Sequence, residues 1–461
     1  MKERILQTLK SLRAYAVEKG LQVSLLYHEE ESALMRFANS AISLNTNEHI
    51  VRLEITAYRG SQRAMYELIT EPGKLDDMKK GIDTVAELAA LAQPLSYTPT
   101  IPHYKADFID EQGYDEALAK LSNEEKLAFF NQASAGLETD DLKLSGIFSS
   151  GTNIWAMVST NSEFCQFFKT SDAGVTVVLA HATLKWEVQA EQSAQKKAEL
   201  NAEKLHRDLA FLVERYQKET PQQLPLGSYD IVLGHAAIAE IVRFLGFIGF
   251  SGGALKRGFA CLNEEKIGQK VFSDKLTIVD DPSYLQTFPL KRDFIGMERK
   301  AFPVVEKGVF KAFTWVQDDA DEFGMTPTGH TVPAYSVVVS GGDHEVTSLE
   351  ELVGQPRDTD LLYIPFLHYM NLVNPSKGII TGSSRFGALL LKKDGSVVVP
   401  YNVRLTQSML DIFGDKVAWV SQKTEAYNVS SSYGARNPNA VVVPLFMRVN
   451  DLEISHSNSS Y

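Results

Sequence analysis

The chain has 461 residues, 44% of them hydrophobic and 23% charged, enough apolar material for two or three packed units. Its 46 Lys and Arg against 58 Asp and Glu give a formal charge of −12, which argues against a broad phosphate-binding surface, so no direct nucleic-acid binding is expected. Cys165 and Cys261 stand far apart with no CxxC or Cys/His cluster, so buried reduced thiols of a cytoplasmic protein are expected rather than a disulfide or metal site.

Residues 1–7 mix acid and base without an apolar core, so no signal peptide is expected. Residues 4–19 predict a helix with Ile5, Leu9, Leu12 and Ala16 along one stripe. Runs 21–27 and 34–38 predict strands, with Glu29-Glu30-Glu31-Ser32 as the polar turn between them. Residues 50–58 alternate, Val51, Leu53, Ile55 and Ala57 facing one way, as a half-buried strand does. Arg59-Gly60-Ser61 turns this strand into one carrying Ala64, Tyr66 and Leu68, and a helix over 75–91 closes a first module, 1–92. Residues 93–108 read as a linker. A second module, 109–218, should hold a helix over 114–135, strands at 142–149, 154–159, 164–170 and 175–182, and a long helix over 184–216. Residues 219–227, with two prolines, mark the clearest boundary.

Beyond it, 228–461 reads as a β-rich domain of short strands with helices near 236–248, 348–353 and 407–413. The fold class expected is α+β with antiparallel sheets, the C-terminal domain sandwich- or barrel-like. The longest apolar run, 244–255, is too short to cross a bilayer, so no membrane association is expected.

The most informative segment is 231–258. Ile231 and Val232 predict a buried strand, Gly234 a break, and 236–247 a helix apolar nearly all round, hence buried. Its exit, Ser251-Gly252-Gly253-Ala254-Leu255-Lys256-Arg257-Gly258, gives the backbone freedom for a tight turn or a close approach to a partner. His235, at the helix entry, could be an electrophile or ligand, although a hydrogen-bonded histidine is the commoner outcome.

Further on, His330 sits in a tight turn, His368 and Asn371 follow a strand at 361–365, and Asn374 precedes Pro375. Ser383, Ser384 and Arg385 occupy a Gly-bounded loop. His330, His368, Asn371, Asn374 and Arg385 are candidate peptide-binding residues, with Arg385 suited to a carboxylate and the amides to backbone groups; ordinary turn chemistry is the alternative. His28-Glu29 and His344-Glu345 lack the second histidine of a zinc protease and read as solvated pairs. Asp318-Asp319-Ala320-Asp321-Glu322 lacks EF-hand spacing and reads as a charged loop. No P-loop, dinucleotide fingerprint or G-x-S-x-G elbow occurs.

Several stretches, in order, resemble the TldD/PmbA family of gyrase modulators and zinc metalloproteases. They are Arg36-Phe37-Ala38-Asn39-Ser40, Thr277-Ile278-Val279-Asp280-Asp281-Pro282, Glu306-Lys307-Gly308-Val309, Thr328-Gly329-His330, Asn374-Pro375-Ser376-Lys377-Gly378 and Ser383-Ser384-Arg385-Phe386-Gly387, with the 231–258 segment among them. In the family's active subunit a His-Glu-x-x-x-His motif lies on the helix that precedes the Gly-rich exit. Counting back from Arg257-Gly258, the corresponding residues here are Arg243-Phe244-Leu245-Gly246-Phe247-Ile248, none a zinc donor, with Phe244 where the general base would stand.

The resemblance therefore implies the PmbA/TldE-like branch: a subunit with no catalytic residues or metal of its own, zinc being expected only in a TldD-like partner. Dimerisation with that partner around a peptide or unfolded polypeptide is implied. Alternatives are a regulatory protein acting on DNA gyrase or a toxin–antitoxin system, and a weak independent hydrolase built on His330.

Overall fold

The computed structural model describes residues 1–71, 73–331, 335–430 and 436–458. Its first layer is a seven-stranded sheet. Helix α1 (Lys2–Glu18) precedes strands β1 (Gln22–Ala38), β2 (Ala41–Arg59) and β3 (Gln62–Thr70), and α2 (Leu75–Leu91) follows. Strand β4 (Phe108–Gly113), short helices α3 (Glu116–Ala119) and α4 (Asn123–Ala133), and strands β5 (Leu142–Ser159), β6 (Gln166–His181) and β7 (Glu187–Ala194) come next, before α5 (Ala202–Lys218). The strand order is β3-β2-β1-β5-β6-β4, with β7 also on β6. The stripe Ile5, Leu9, Leu12 and Ala16 is buried, and Met78, Ile82, Val85 and Ala89 of α2 join it over Val51, Leu53 and Ile55. Burying apolar side chains on one sheet face is the main stabilising term in such a layer.

Four expectations for this layer are corrected. Glu29-Glu30-Glu31-Ser32 is no turn: β1 runs unbroken from Gln22 to Ala38, paired throughout with β2 and β5. The four runs between 142 and 182 are likewise two long strands, β5 and β6. The helix over 184–216 begins only at Ala202, because Val188, Ala190 and Ala194 face the core from β7, which pairs with β6. The helix over 114–135 is split into α3 and α4 by Ser122, whose hydroxyl and Glu125 form a capping box that starts a new helix.

The C-terminal part holds two more sheets. Strand β8 (Gly227–Gly234) leads into α6 (His235–Ile248), followed by β9 (Ile278–Asp280), β10 (Phe302–Glu306), β11 (Val309–Phe310) and β12 (Val337–Val339). Next come β13 (Leu361–Ile364), β14 (Phe366–Asn374), β15 (Ile379–Arg385), β16 (Leu389–Leu391), β17 (Val397–Val398) and β18 (Asn402–Ser408). Strands β19 (Val417–Val420), β20 (Thr424–Asn428), β21 (Ala440–Pro444) and β22 (Phe446–Asn458) complete the chain. One sheet runs β11-β10-β9-β12-β21-β20; the other runs β14-β15-β18-β22-β8-β13-β16-β17, with β19 on β22.

Pairing is antiparallel except where β4 meets β6, β8 meets β13 and β12 meets β21. The architecture is α+β, and neither C-terminal sheet closes into a barrel. Helix α6 touches strands of both: Ile238, Ile241, Val242 and Leu245 pack in one core with Ile231 and Leu233 of β8 and Val441 and Val443 of β21. No helix among the described residues is long and apolar enough to cross a membrane.

Candidate functional site

Along α6, Leu245, Gly246 and Ile248 are buried, Arg243 and Phe244 half-buried, and Phe247 is 52% exposed. Arg243 is held 3.1 Å from Glu240, one turn earlier on the same helix. The positions Arg243, Phe244 and Ile248 thus present a guanidinium and hydrocarbon. None offers the imidazole, thiolate or carboxylate that zinc requires, so this turn does not fit the ion.

The Gly-rich exit is a close approach to the chain's own body. Gly252 donates its amide to the Thr314 carbonyl at 2.9 Å, and a Cβ there would lie 2.3 Å from the Trp315 ring. A Cβ at Gly253 would collide with the Asp319 carboxylate, which pairs with Arg257 at 2.8 Å. The acidic stretch after Val316 is accordingly helical over Gln317–Phe323 rather than a solvated loop. Asp318 binds Arg63 at 2.6 Å, and Asp321 accepts from Thr100, tying the helix to the N-terminal part.

His330 is 97% buried, with ring Nδ1 2.8 Å from the Thr328 hydroxyl and Nε2 3.5 Å from Asp280. That second separation is too long for a well-formed hydrogen bond, so the contact is electrostatic. Asp280 also binds Arg299 and the Ser336 amide. Burial opposes its ionisation, but His330 and Arg299 outweigh burial and hold the carboxyl at about 2. Thr328 accepts the Trp315 amide at 2.8 Å, so its hydroxyl is engaged in the turn.

The other candidates lie on the β14–β15 hairpin. His368 is Cα-paired with Ser383 and Asn371 with Thr381. Arg385 approaches His368 Nδ1 at 3.2 Å and forms bonds of 2.8 and 2.9 Å to Glu187 of β7. Burial and the Arg385 charge lower the His368 pKa. Asn374 accepts the Lys377 amide and caps a 3-10 turn, a structural task. His368 and Arg385 are therefore in contact across β14 and β15, Asn371 lies further along the same hairpin opposite Thr381, and His330 belongs to the Asp280 cluster. His235 bonds Glu191 of β7 at 2.6 Å, the partnered outcome at a helix entry.

A buried polar seam lies where the sequence suggested solvent. His28, Glu29 and Glu30 are all buried in β1. Glu30 pairs with Arg52 at 3.1 Å and accepts the Arg436 amide. Arg436 makes a two-pronged bond to Asp172, with Nε and Nη2 at 2.9 and 2.6 Å from the carboxylate, and reaches Ser149 at 2.7 Å. Asn153 links Asp172 to His28, at 3.3 and 3.2 Å. Glu30, Arg436, Asp172, Asn153 and His28 thus satisfy one another, the condition for placing charge in a core. Nearby, the donor atoms of Glu29, Glu31 and His49 lie within 4.8 Å of one another, a potential cation-binding trio; Tyr27 and His49 already occupy the buried Glu29 carboxylate.

Residues 226–456 match the model of the PmbA/TldA metallopeptidase C-terminal domain. No curated protein matches the chain. Among solved structures, TldE from Thermococcus kodakarensis superposes with a TM-score of 0.77 at 15% identity, covering 97% of this chain and 100% of that one. A candidate modulator of a DNA gyrase from Thermotoga maritima gives 0.77 at 16% identity, over 97% and 99% of the two chains. Another from Bacteroides thetaiotaomicron gives 0.78 at 15% identity, over 97% and 98%. At these identities the likeness is one of fold.

Proposed function

This chain belongs to the PmbA/TldD metallopeptidase family, and on that premise we propose that it is the family's TldE-like, non-catalytic subunit. Its role is to complete a peptide-substrate chamber for a TldD-like subunit that carries the zinc. What supports this reading is the α6 segment: counted back from Arg257-Gly258, the family's metal-motif positions fall on Arg243-Phe244-Leu245-Gly246-Phe247-Ile248, which contain no zinc donor. Such a subunit contributes binding and exclusion of water rather than the Lewis acid.

Within the chamber, His368 and Asn371 on the edge strand β14 are candidate peptide contacts, with Arg385 beside them. Because Glu187 neutralises Arg385, a substrate carboxylate would have to exchange with that ion pair. His330 and Asn374 serve the fold first.

The test is zinc content and peptidase activity of the purified chain, alone and after co-expression with a TldD-like subunit. Neither stoichiometric zinc nor activity is expected alone, and both are expected in the complex. Zinc-dependent proteolysis by the isolated chain would overturn the proposal. The gyrase-modulator description of two structural relatives supports a second reading, in which the −12 charge lets the protein compete with DNA for a basic surface. Salt-sensitive capture of gyrase by the isolated chain would favour it.

A further inference from the structure

A cleft of about 390 Å³ lies between the first sheet and the C-terminal part. Along β1 and β2 the residues that pack under α1 and α2 alternate with Ser24, Leu26, Glu54, Thr56 and Tyr58, which line the cleft from the opposite face. Its floor is apolar: Leu26, Met157, Tyr104 and Phe294 pack as one small cluster, and Met65, 64% exposed, stands at the rim. The charged groups of the lining are Glu54, Asp293 and Asp318 against Arg63 and His330. Both cations have partners already. Arg63 binds Asp318 at 2.6 Å, and His330 faces Asp280, outside the lining.

Glu54 is left over. It is half-buried, and among the described residues neither carboxylate oxygen has a hydrogen-bond donor. The charge that bears on it is a like one, Glu67, directly opposite on β3. Like charges facing each other across two strands destabilise a sheet, and a cation between or above them relieves that cost. Asp293, 1% exposed, accepts the amides of Ile295, Gly296 and Met297 on Oδ1, while Oδ2 has no donor among the described residues. The cation that bears on Asp293 is Arg299, whose guanidinium is taken up by Asp280. Burial raises the pKa of both carboxyls, as expected where too little positive charge answers them.

We propose that this cleft binds a small organic cation with a planar, forked donor group, an amidinium or guanidinium, the fork on the two oxygens of Glu54 and the apolar body on Leu26, Met157 and Phe294. Leu26 is directly opposite Glu54 on β1, so the acceptor and the apolar floor are neighbours. Two free oxygens on one carboxylate match a fork better than a single ammonium, because both N–H groups are then used. The volume lies within the range of small-molecule sites. A bare divalent ion fits less well: it needs several oxygen ligands at once and would leave the floor uncovered. The site stands apart from the proposed subunit role, since it uses none of His368, Asn371 and Arg385 and needs no second chain.

The experiment is calorimetric titration of the full chain with benzamidine, its neutral isostere benzamide and the anion benzoate. The amidinium should bind one to one and about tenfold more tightly than either analogue, as charge-assisted hydrogen bonds require. Glu54→Gln should weaken it about tenfold, and Met65→Lys, which sets a cation at the exposed rim, about threefold. Glu265→Gln removes an exposed carboxylate outside the cleft and should leave binding unchanged. Nα-acetylargininamide separates the sources: binding comparable to that of benzamidine assigns arginine side chains, and binding of benzamidine alone assigns small free amidines. No saturable binding by the native chain, equal affinity for the three compounds, undiminished binding by Glu54→Gln, or equal losses in Glu54→Gln and Glu265→Gln would overturn the proposal. None of these readouts depends on zinc or proteolysis, so the subunit role stands or falls separately.

Discussion

At Arg436 a single side chain joins the end of the chain to the middle of the first sheet. Its guanidinium is the cation that answers Asp172, and both groups are buried. Removing one member of a buried pair strands the other, at a cost of about 3–5 kcal/mol. Arg436→Met should therefore lower the stability measured by urea unfolding by about that amount, and adding Asp172→Asn should restore part of it. A loss below about 1 kcal/mol, or a double variant no more stable than the single, would show that the pair is not the clamp described.

Asp280 gives a second test through pH. Its folded pKa, about 2, lies below the value of about 3.9 for an unfolded aspartate. The sign follows from linkage: the carboxylate adds stability above the unfolded pKa and loses it as pH falls through the folded one. The window is therefore about pH 4 to 2, and the contribution is about 2.6 kcal/mol. Asp280→Asn should flatten the acid limb of the stability curve there, while lowering stability at neutral pH by leaving Arg299 without its carboxylate. An unchanged acid limb would remove Asp280 from the account.

Among the elements, those whose pattern is local were legible from sequence. Helices α1 and α2 and the alternating half of β2 carry their own periodicity, and their apolar positions are buried as the spacing predicts. The middle of β1 was not legible, because three successive glutamates resemble a turn unless their partners are known. Besides Arg52, Glu30 accepts the amide of Arg436, 406 residues away, a separation no window of sequence spans. Strand β7 was hidden for a related reason: Ala194 and Ala198 happen to continue the helical step of α5, and so the Glu187 partner of Arg385 was not visible either. Arg385, expected in a Gly-bounded loop, instead ends strand β15 and faces His368 across the β14–β15 pairing, a long-range register that no local pattern shows, and the separate placement of His330 against Asp280 likewise depends on tertiary contacts. The Gly-rich exit was legible as a close approach, though not to which surface. Since that surface is Trp315, Gly252→Ala should cost about 1–3 kcal/mol by overpacking, read as a fall in the urea midpoint. Gly258→Ala is a contrasting control: a Cβ there meets nothing within 4 Å, and only its positive φ of 79° opposes it. Equal tolerance of the two would contradict the steric argument.

At the scale of the molecule, the three sheets are not independent. Strand β1, from the first proposed module (1–92), lies between β2 and β5, so its hydrogen-bonding edge is completed by the second module (109–218). Arg436–Asp172, Arg385–Glu187, Lys204–Glu425 and His235–Glu191 then join that layer to residues 228–461. A fragment of residues 1–92 would expose the 17-residue edge of β1 with buried-type glutamates along it, and exposed edges of this length pair with other chains. It should aggregate or remain unfolded. A 1–218 fragment keeps β1 paired on both sides but loses the counterions of Asp172 and Glu187, so it should fold with lower stability than in the intact chain. Circular dichroism and sizing of the two fragments decide the point: a monomeric, cooperatively unfolding 1–92 fragment would make the first module a domain in its own right and detach β1 from the argument built on its shared edge.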